Sequence, residues 1–230
     1  MATLKYYFDL MSQPSRALYV ILKLTKIPFE PCPVALRKGE HRTDEFRDKF
    51  SRFQKVPFIH DGDFKLAESI AILRYLKSKY PDNFCESLYP NDSKNQAKVD
   101  EYLEWQHLNI RMNCSYYFWY KWILPNMTKS PPDENKIAEL ESNMIGSVKE
   151  FVELFLDQGH KYIAGDNISA ADIFAACELE QPRIAGFDVF QEHPKLQTWL
   201  ESVKRECNPY YQEAHFYVDN LAKKQLNAKL

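Results

Sequence analysis

Residues 5–17 read KYYFDLMSQPSRA, and their order decides how the chain begins to fold. Residues 5–9 are short and aromatic-rich, the composition of a strand. Leu-Met-Ser-Gln-Pro at residues 10–14 then breaks the pattern. Pro14 suits a first helical turn, where its missing N–H costs little, and Ala17, Val20, Ile21 and Leu24 recur behind it at helical spacing. A strand therefore leads through a loop into a helix, and Ser12 stands in the loop.

Working outward, residues 27–34 read as a second strand and the charged stretch 41–50 as a short helix. Residues 56–60 and 64–66 read as two strands around the turn Asp61-Gly62-Asp63. Residues 68–80 are helical, with Ile70, Ile72, Leu73, Tyr75 and Leu76 on one broad face and Pro81 as the stop. Two prolines and no apolar period mark PDNFCESLYPND, residues 81–92, as connecting chain. The expected division is a small α/β domain over 1–82, a linker over 83–91 and a helical domain over 92–230. Helices are expected over 93–122, 133–156, 169–180, 194–205 and 210–224. Ser169 is placed to cap the third of these, with Asp172 reaching back as an acidic partner.

Thirty basic and 32 acidic residues are spread without long blocks, giving a formal charge of −2, so no nucleic-acid partner is predicted. The longest apolar runs fall far short of the ~20 residues that span a bilayer, and the N-terminus lacks a signal pattern, so a cytoplasmic location away from membranes is expected. Cys32, Cys85, Cys114, Cys177 and Cys207 are odd in number and widely spaced, which argues for reduced thiols over disulfides or zinc. The six histidines show no ligand spacing, and no metal is predicted.

Several short strings then occur in a specific order. They are Asp9-Leu-Met-Ser-Gln-Pro-Ser-Arg-Ala17, Lys38-Gly-Glu-His41, Lys55-Val-Pro57, Asp61-Gly-Asp63, Glu68-Ser69 before a helix, Val99-Asp-Glu-Tyr-Leu-Glu-Trp105 and the Ser169 to Asp172 box. On these the chain resembles the cytosolic glutathione transferases, the theta class most closely, over nearly its whole length. The resemblance implies a thioredoxin-like N-terminal domain with a mixed four-stranded sheet and helices, an all-α C-terminal domain and a homodimer. It also implies glutathione as co-substrate with no further cofactor, a small hydrophobic electrophile as partner, and conjugation with hydroperoxide reduction as a second activity.

Such a protein must hold a peptide thiol and keep it ionised. A free thiol of pKa ~8.5 is only ~3% thiolate at pH 7, whereas a pKa of ~6.5 gives about three-quarters. That shift requires about 2.7 kcal/mol of preference for the anion, within reach of one hydroxyl donor and a helix N-terminus aimed at sulfur. By its residues alone Ser12 is either a helix cap or such a donor. The resemblance makes it the donor, with Ser15 as the alternative. Tyr6 and Tyr7 lie in the strand, one expected in the core and one at the surface. The loop has no cysteine, so a mixed-disulfide mechanism is not expected.

The resemblance assigns Glu68 and Ser69 to the γ-glutamyl end, although seen alone they form an ordinary acidic helix start. It makes Val56-Pro57 a cis-proline turn whose backbone pairs with the cysteinyl part, and it puts His41 and Lys55 at the glycine carboxylate. Arg111 matches an arginine near the sulfur; its other reading is a surface ion pair. The electrophile pocket is expected between domains, against Leu10, Met11 and part of the stripe Tyr116, Tyr117, Trp119 and Tyr120. Leu108 stands where some theta enzymes carry an acidic residue, Asp100 being a substitute. The basic tail with Lys223, Lys224 and Lys229 is expected to be solvated, and since the family's vertebrate members carry a longer C-terminal extension over the active site, the resemblance implies a more open pocket here. The rival functions are a hydrophobic-ligand carrier and an assembly subunit on the same fold.

Overall fold

In a computed structural model, which describes residues 3–191 and 193–227, the N-terminal third is built on a four-stranded sheet of order β2-β1-β3-β4. The strands are β1 (Leu4–Phe8), β2 (Phe29–Pro33), β3 (Phe58–Asp61) and β4 (Phe64–Ala67). β1 runs parallel to β2 and antiparallel to β3, and β3 and β4 form a hairpin. The parallel pair requires a crossover, and α1 (Gln13–Leu24) supplies it. On β1, Leu4, Tyr6 and Phe8 are buried while Lys5 and Tyr7 are half-exposed, the two-residue alternation of a strand. The other face carries a small cluster of Val34, Phe46 and Phe58 with Tyr7 against it, covered by the short α2 (Asp44–Lys49). Lys229 of the basic tail lies outside the described residues.

The stripe expected on α1 understates its burial, because Ala17, Leu18, Tyr19, Val20, Ile21 and Leu22 are all buried. The helix is enclosed by the sheet and α3 (Ser69–Lys79) on one side and by α8 (Ala170–Leu179) and α10 (Tyr210–Asn227) on the other. One hydrophobic core accordingly runs through both halves of the chain. The connecting stretch 83–91 is packed: Phe84, Leu88 and Tyr89 are buried, and the Leu88 carbonyl accepts from the Ala170 N–H at 2.7 Å.

The long helix expected over 93–122 is two helices, α4 (Ser93–Trp105) and α5 (Ile110–Phe118). The break falls at Asn109, φ −114° and ψ −103°, whose side-chain amide donates to the Trp105 carbonyl at 2.7 Å. Asparagine here offers the backbone a local partner that competes with the helix. Beyond α5 the helix widens into one π turn over Trp119–Ile123 and continues as α6 (Leu124–Thr128), past the expected end. The stretch α7 (Glu134–Phe151) ends in a second π turn, Val152–Leu156, and α9 (Pro194–Cys207) precedes α10. At the start of α8 the Asp172 carboxylate accepts from the Ser169 N–H at 2.9 Å and its hydroxyl at 2.8 Å, from Ile163 N–H at 3.0 Å and from Trp199 Nε1 at 2.9 Å. Among the described residues no helix is long and apolar enough to cross a membrane.

His215 gives the fold a pH dependence. Its ring is buried in α10, stacked on Tyr211 at 3.9 Å, with Nδ1 2.9 Å from the Tyr211 carbonyl. Burial, then the nearby Arg16 charge, pushes its pKa well below the usual value, so the folded ring stays neutral. On acidification the unfolded chain takes up a proton that the folded chain refuses, so stability falls as pH drops below ~6.5. Relative to His215→Phe, the native protein should lose about 1.4 kcal/mol of stability between about pH 7.5 and 5.5, read by denaturant titration at both values. A pH-independent difference between the two proteins would refute this.

Candidate active site

The register of the sheet gathers the predicted residues at one end. Tyr7 pairs with Phe58, so the chain leaving β1 at Asp9 runs beside the Val56-Pro57 entry to β3. Phe58 in turn pairs with Ala67, which places Glu68 and Ser69 at that end. Phe8 pairs with Pro33 in the parallel strand, so the segment carrying His41 leaves from there too, tied on by a 2.8 Å bond from the Val34 N–H to the Phe8 carbonyl.

Ser12 is the N-cap residue of α1, with φ −86° and ψ 125°, yet its hydroxyl makes no cap hydrogen bond. Pro14 explains part of this, since a cap serine bonds the N–H of the second or third helical residue and proline has none. The backbone of Ser12 is held: its N–H donates to the Asp9 carbonyl at 2.9 Å, and its carbonyl accepts from the Arg16 N–H at 3.0 Å. The Asp9 carboxylate fixes the loop further, accepting from Met11 N–H at 2.9 Å and Leu36 N–H at 3.2 Å. A half-buried hydroxyl without a partner among the described residues therefore stands at a helix N-terminus, the place where an anion is stabilised.

The other hydroxyls near the loop are buried or lie on the far face of the sheet. Ser15 is fully buried and its Oγ faces the interior without a partner. Tyr6 is fully buried and donates to the Ser15 carbonyl at 2.7 Å; burial drives its pKa well up. Tyr7 lies on the opposite face of the sheet, stacked on Phe58 at 4.4 Å.

The Val56-Pro57 bond is cis, and neither backbone group of Val56 is hydrogen-bonded within the described residues. Lys55 is exposed and unpaired, behind Gln54, whose amide donates to the Thr43 carbonyl at 3.1 Å. His41 is half-buried in the one-turn helix Glu40–Arg42; burial first, then Arg42, lowers its pKa, so the ring is neutral near pH 7. Glu68 has φ 69° and ψ 115°, a left-sided backbone that costs a non-glycine residue about 1–3 kcal/mol and is held by its surroundings. Its side chain is exposed, while the Ser69 side chain is buried.

Arg111 stands beside Ser69. Its Nη1 is 3.5 Å from Ser69 Oγ and 3.3 Å from His107 Nδ1, and its Nε donates to Glu178 Oε1 at 2.7 Å. The guanidinium charge is thus shared with a fully buried carboxylate, and the surface ion pair is excluded as its partner. One turn along α5, Ser115 Oγ accepts from Gln13 Nε2 at 2.9 Å, so this one helix touches both helix starts of the site. Asp100 is engaged with Arg74 and Tyr89, each at 2.8 Å, and Leu108 is solvent-exposed.

Leu10 and Met11 line a cleft of about 650 Å³ with Val34, Arg37, Lys38 and Tyr217. Glu68 lines a second depression of about 530 Å³ with Phe50, Arg52, Phe53 and Lys65. Tyr116, Trp119 and Tyr120 line neither; the first two are exposed and the third half-buried, while Tyr117 is core. Sequence reasoning missed Tyr217, which only the fold brings across: α10 docks on α1, with Tyr19 donating to Glu213 at 2.5 Å. It also missed Arg16 and Gln181, described below. The signal for Arg16 was available as a charge one turn before Val20 on the apolar face of α1. Among the described residues no group of three or more His, Cys, Asp or Glu side chains is placed to hold a metal ion.

Known proteins match this chain over most of its length. The model of the glutathione S-transferase N-terminal domain matches residues 2–78, and that of the C-terminal domain matches residues 122–206. Glutathione S-transferase theta-1 of Bos taurus is 41% identical over 215 residues, covering 92% of this chain and 87% of its own length. The Homo sapiens theta-1 protein is 40% identical with the same coverage. Human glutathione-S-transferase T1-1 in its apo form superimposes with a TM-score of 0.87 at 36% identity, covering 98% of this chain and 97% of that one. A human theta-class transferase in complex with the glutathione conjugate of 1-menaphthyl sulfate does so with a TM-score of 0.89 at 33% identity, over 100% of this chain and 92% of that one. Sheet order, helical second half and sequence identity over most of the length together establish that this chain belongs to the glutathione S-transferase family, in its theta class.

Proposed function

We propose that this enzyme binds glutathione at the gathered end of the sheet, ionises its thiol, and delivers the thiolate to an electrophilic carbon or an organic hydroperoxide. The observation that carries the reading is the Ser12 hydroxyl, unspent at a helix start where a cap bond would ordinarily be made. A carrier or an assembly subunit requires no such donor.

In this reading Ser12 Oγ donates to the sulfur, and the first amides of α1 add their partial positive charge. The free backbone of Val56 pairs with the cysteinyl unit. Glu68 receives the ammonium of the γ-glutamyl end, and Ser69, with Arg111 beside it, its carboxylate. His41 and the unpaired Lys55 take the glycine carboxylate. The electrophile sits against Leu10 and Met11, with Tyr217 across the cleft and Tyr116, Trp119 and Tyr120 as the outer part of the approach. The thiolate attacks carbon, the C–S bond forms, and the leaving group departs with its electron pair. The relative solved with a glutathione conjugate of 1-menaphthyl sulfate supports this class of substrate. Residues 1–82 then form the glutathione domain and 92–230 supply the electrophile wall. The homodimer and a cytoplasmic location follow from the family.

Thiolate absorbance at the ultraviolet edge tests the reading directly. On titration with glutathione the native protein should show a bound thiol of pKa near ~6.5, about two units below the free thiol. Glutathione that binds without ionising, or does not bind, would overturn the enzymatic reading.

A further inference from the structure

Arg16 is fully buried and carries a charge with no carboxylate in direct contact among the described residues. The neighbouring buried acids are taken by other partners: Glu178 pairs with Arg111, and Glu180 with Arg183 and Lys204. Arg16 instead spends its guanidinium on neutral oxygens. Nη1 donates to the carbonyls of Leu10 at 3.0 Å and Met11 at 3.4 Å, while Nη2 donates to the Cys177 carbonyl and to Gln181 Oε1, both at 2.7 Å. Gln181 completes the loop by donating from Nε2 to the same Met11 carbonyl at 3.2 Å.

These five bonds join two places that matter for the reaction. Leu10 and Met11 are the two residues immediately before Ser12, and they also line the cleft. Cys177 is in the last turn of α8, where unpaired carbonyls and the negative end of the helix dipole favour a cation. Burying a charge without a counter-ion is costly, and a planar fork with several donors recovers much of that cost by hydrogen bonding, here through both terminal nitrogens while Nε has no partner among the described residues. An arginine whose only task was to fill the space between α1 and α8 would be replaceable by an apolar side chain at lower cost.

We propose that Arg16, with Gln181, is a positioning residue for the reaction: it clamps the Leu10–Met11 turn to the end of α8 and so fixes the Ser12 hydroxyl towards sulfur and registers the loop against the helical half of the molecule. The inference rests on the assignment of Ser12 as the thiolate donor. The groups facing Arg16 are Cys177 and Glu178 from α8 and Tyr211 and His215 from α10, all buried.

Two variants test it. Arg16→Lys keeps the charge but cannot span the four acceptors at once. Gln181→Met keeps the volume and removes both amide contacts. Each is expected to raise the thiol pKa of bound glutathione by about one unit and to cut kcat with 1-menaphthyl sulfate about fivefold near pH 6.5, with KM for glutathione changed less than about threefold. Because the effect runs through the Ser12 hydroxyl, adding Arg16→Lys to Ser12→Ala should move the thiol pKa no further.

A folded Arg16→Lys or Gln181→Met with native thiol pKa and kcat would overturn the proposal. So would a loss that tracks only the folded fraction measured by circular dichroism, or additivity with Ser12→Ala. Should Arg16→Lys not fold, Gln181→Met decides alone. If Ser12→Ala itself keeps the native thiol pKa, the assignment of Ser12 has failed and the proposal falls with it, a result distinct from failure of the clamp.

Discussion

Ser12→Ala is expected to bind glutathione with nearly native affinity and to leave its thiol largely protonated at neutral pH. A hydrogen bond to a charged partner contributes about 1.5–3 kcal/mol, so removing this one raises the bound thiol pKa by about one to two units. At pH near 7 the thiolate fraction then falls from about three-quarters towards the free value of a few per cent. The predicted cost in kcat/KM near pH 7 is about 3- to 25-fold, the fall in thiolate fraction itself.

The pH profile separates this mechanism from mere disorder of the loop. A thiolate of higher pKa is intrinsically the better nucleophile, with a Brønsted slope of about 0.4–0.5, so ionised glutathione in the variant attacks at least as well. Raising the pH should therefore restore most of the lost rate, with the inflection displaced to the new thiol pKa. The Ser12 backbone is held by Asp9 and Arg16 and not by its hydroxyl, so the substitution leaves the turn in place. A variant slow at every pH, or one with the native inflection, would remove Ser12 from the mechanism.

Much of this site was legible before the fold was seen, and the reason is local. The strand, loop and helix at residues 5–17 follow from aromatic composition, a proline and a helical period, all of which act within a few residues. Once β2 and β3 flank β1 and β4 pairs with β3, register alone carries Asp9, Val56 and Glu68 to one end. The contributions from the helical half were not legible in the same way. The Asn109 break arises from a side chain competing for one carbonyl, and the dense burial of α1 depends on α8 and α10 arriving from 150 or more residues away. The hydrophobic stripe at Tyr116, Trp119 and Tyr120 has the composition of a pocket wall, but none of the three lines the cleft against Leu10 and Met11, because which face of a helix docks is set by its tertiary neighbours. Tyr217 faces the cleft because of docking, which no local pattern encodes.

Glu178→Ala is expected to be among the most damaging changes away from the reacting atoms. Glu178 is completely buried, one oxygen bonded to Arg111 Nε at 2.7 Å and the other unpartnered, and Arg111 Nη2 is likewise buried without a partner. Breaking a buried pair by removing one member costs about 3–5 kcal/mol, because the survivor keeps its desolvation penalty. At this chain length 3 kcal/mol corresponds to a fall in Tm of about 6–12 °C.

The reciprocal variant, Arg111→Ala, has a pH signature. Burial pushes the Glu178 pKa up and Arg111 holds it down, so without Arg111 it rises further. A carboxyl whose folded pKa exceeds its unfolded value binds its proton more tightly when folded, and the penalty appears as pH rises from the unfolded value through the folded one. Arg111→Ala should therefore be less stable at about pH 7.5 than at about pH 5 when each is compared with the native protein at the same pH.

Replacing both, as Arg111→Met with Glu178→Leu, removes both charges and their desolvation together and should recover near-native stability. Function should not recover with it. Arg111 reaches Ser69 Oγ as well as Glu178, so the double variant loses the cation beside the proposed γ-glutamyl carboxylate site and should show KM for glutathione raised about tenfold or more with kcat at saturation little changed. That split between stability and KM is the decisive measurement. Native KM in a stable double variant would reduce Arg111 to a structural ion pair, and a double variant as unstable as either single one would show that the charges, not their uncompensated burial, hold α5 to α8.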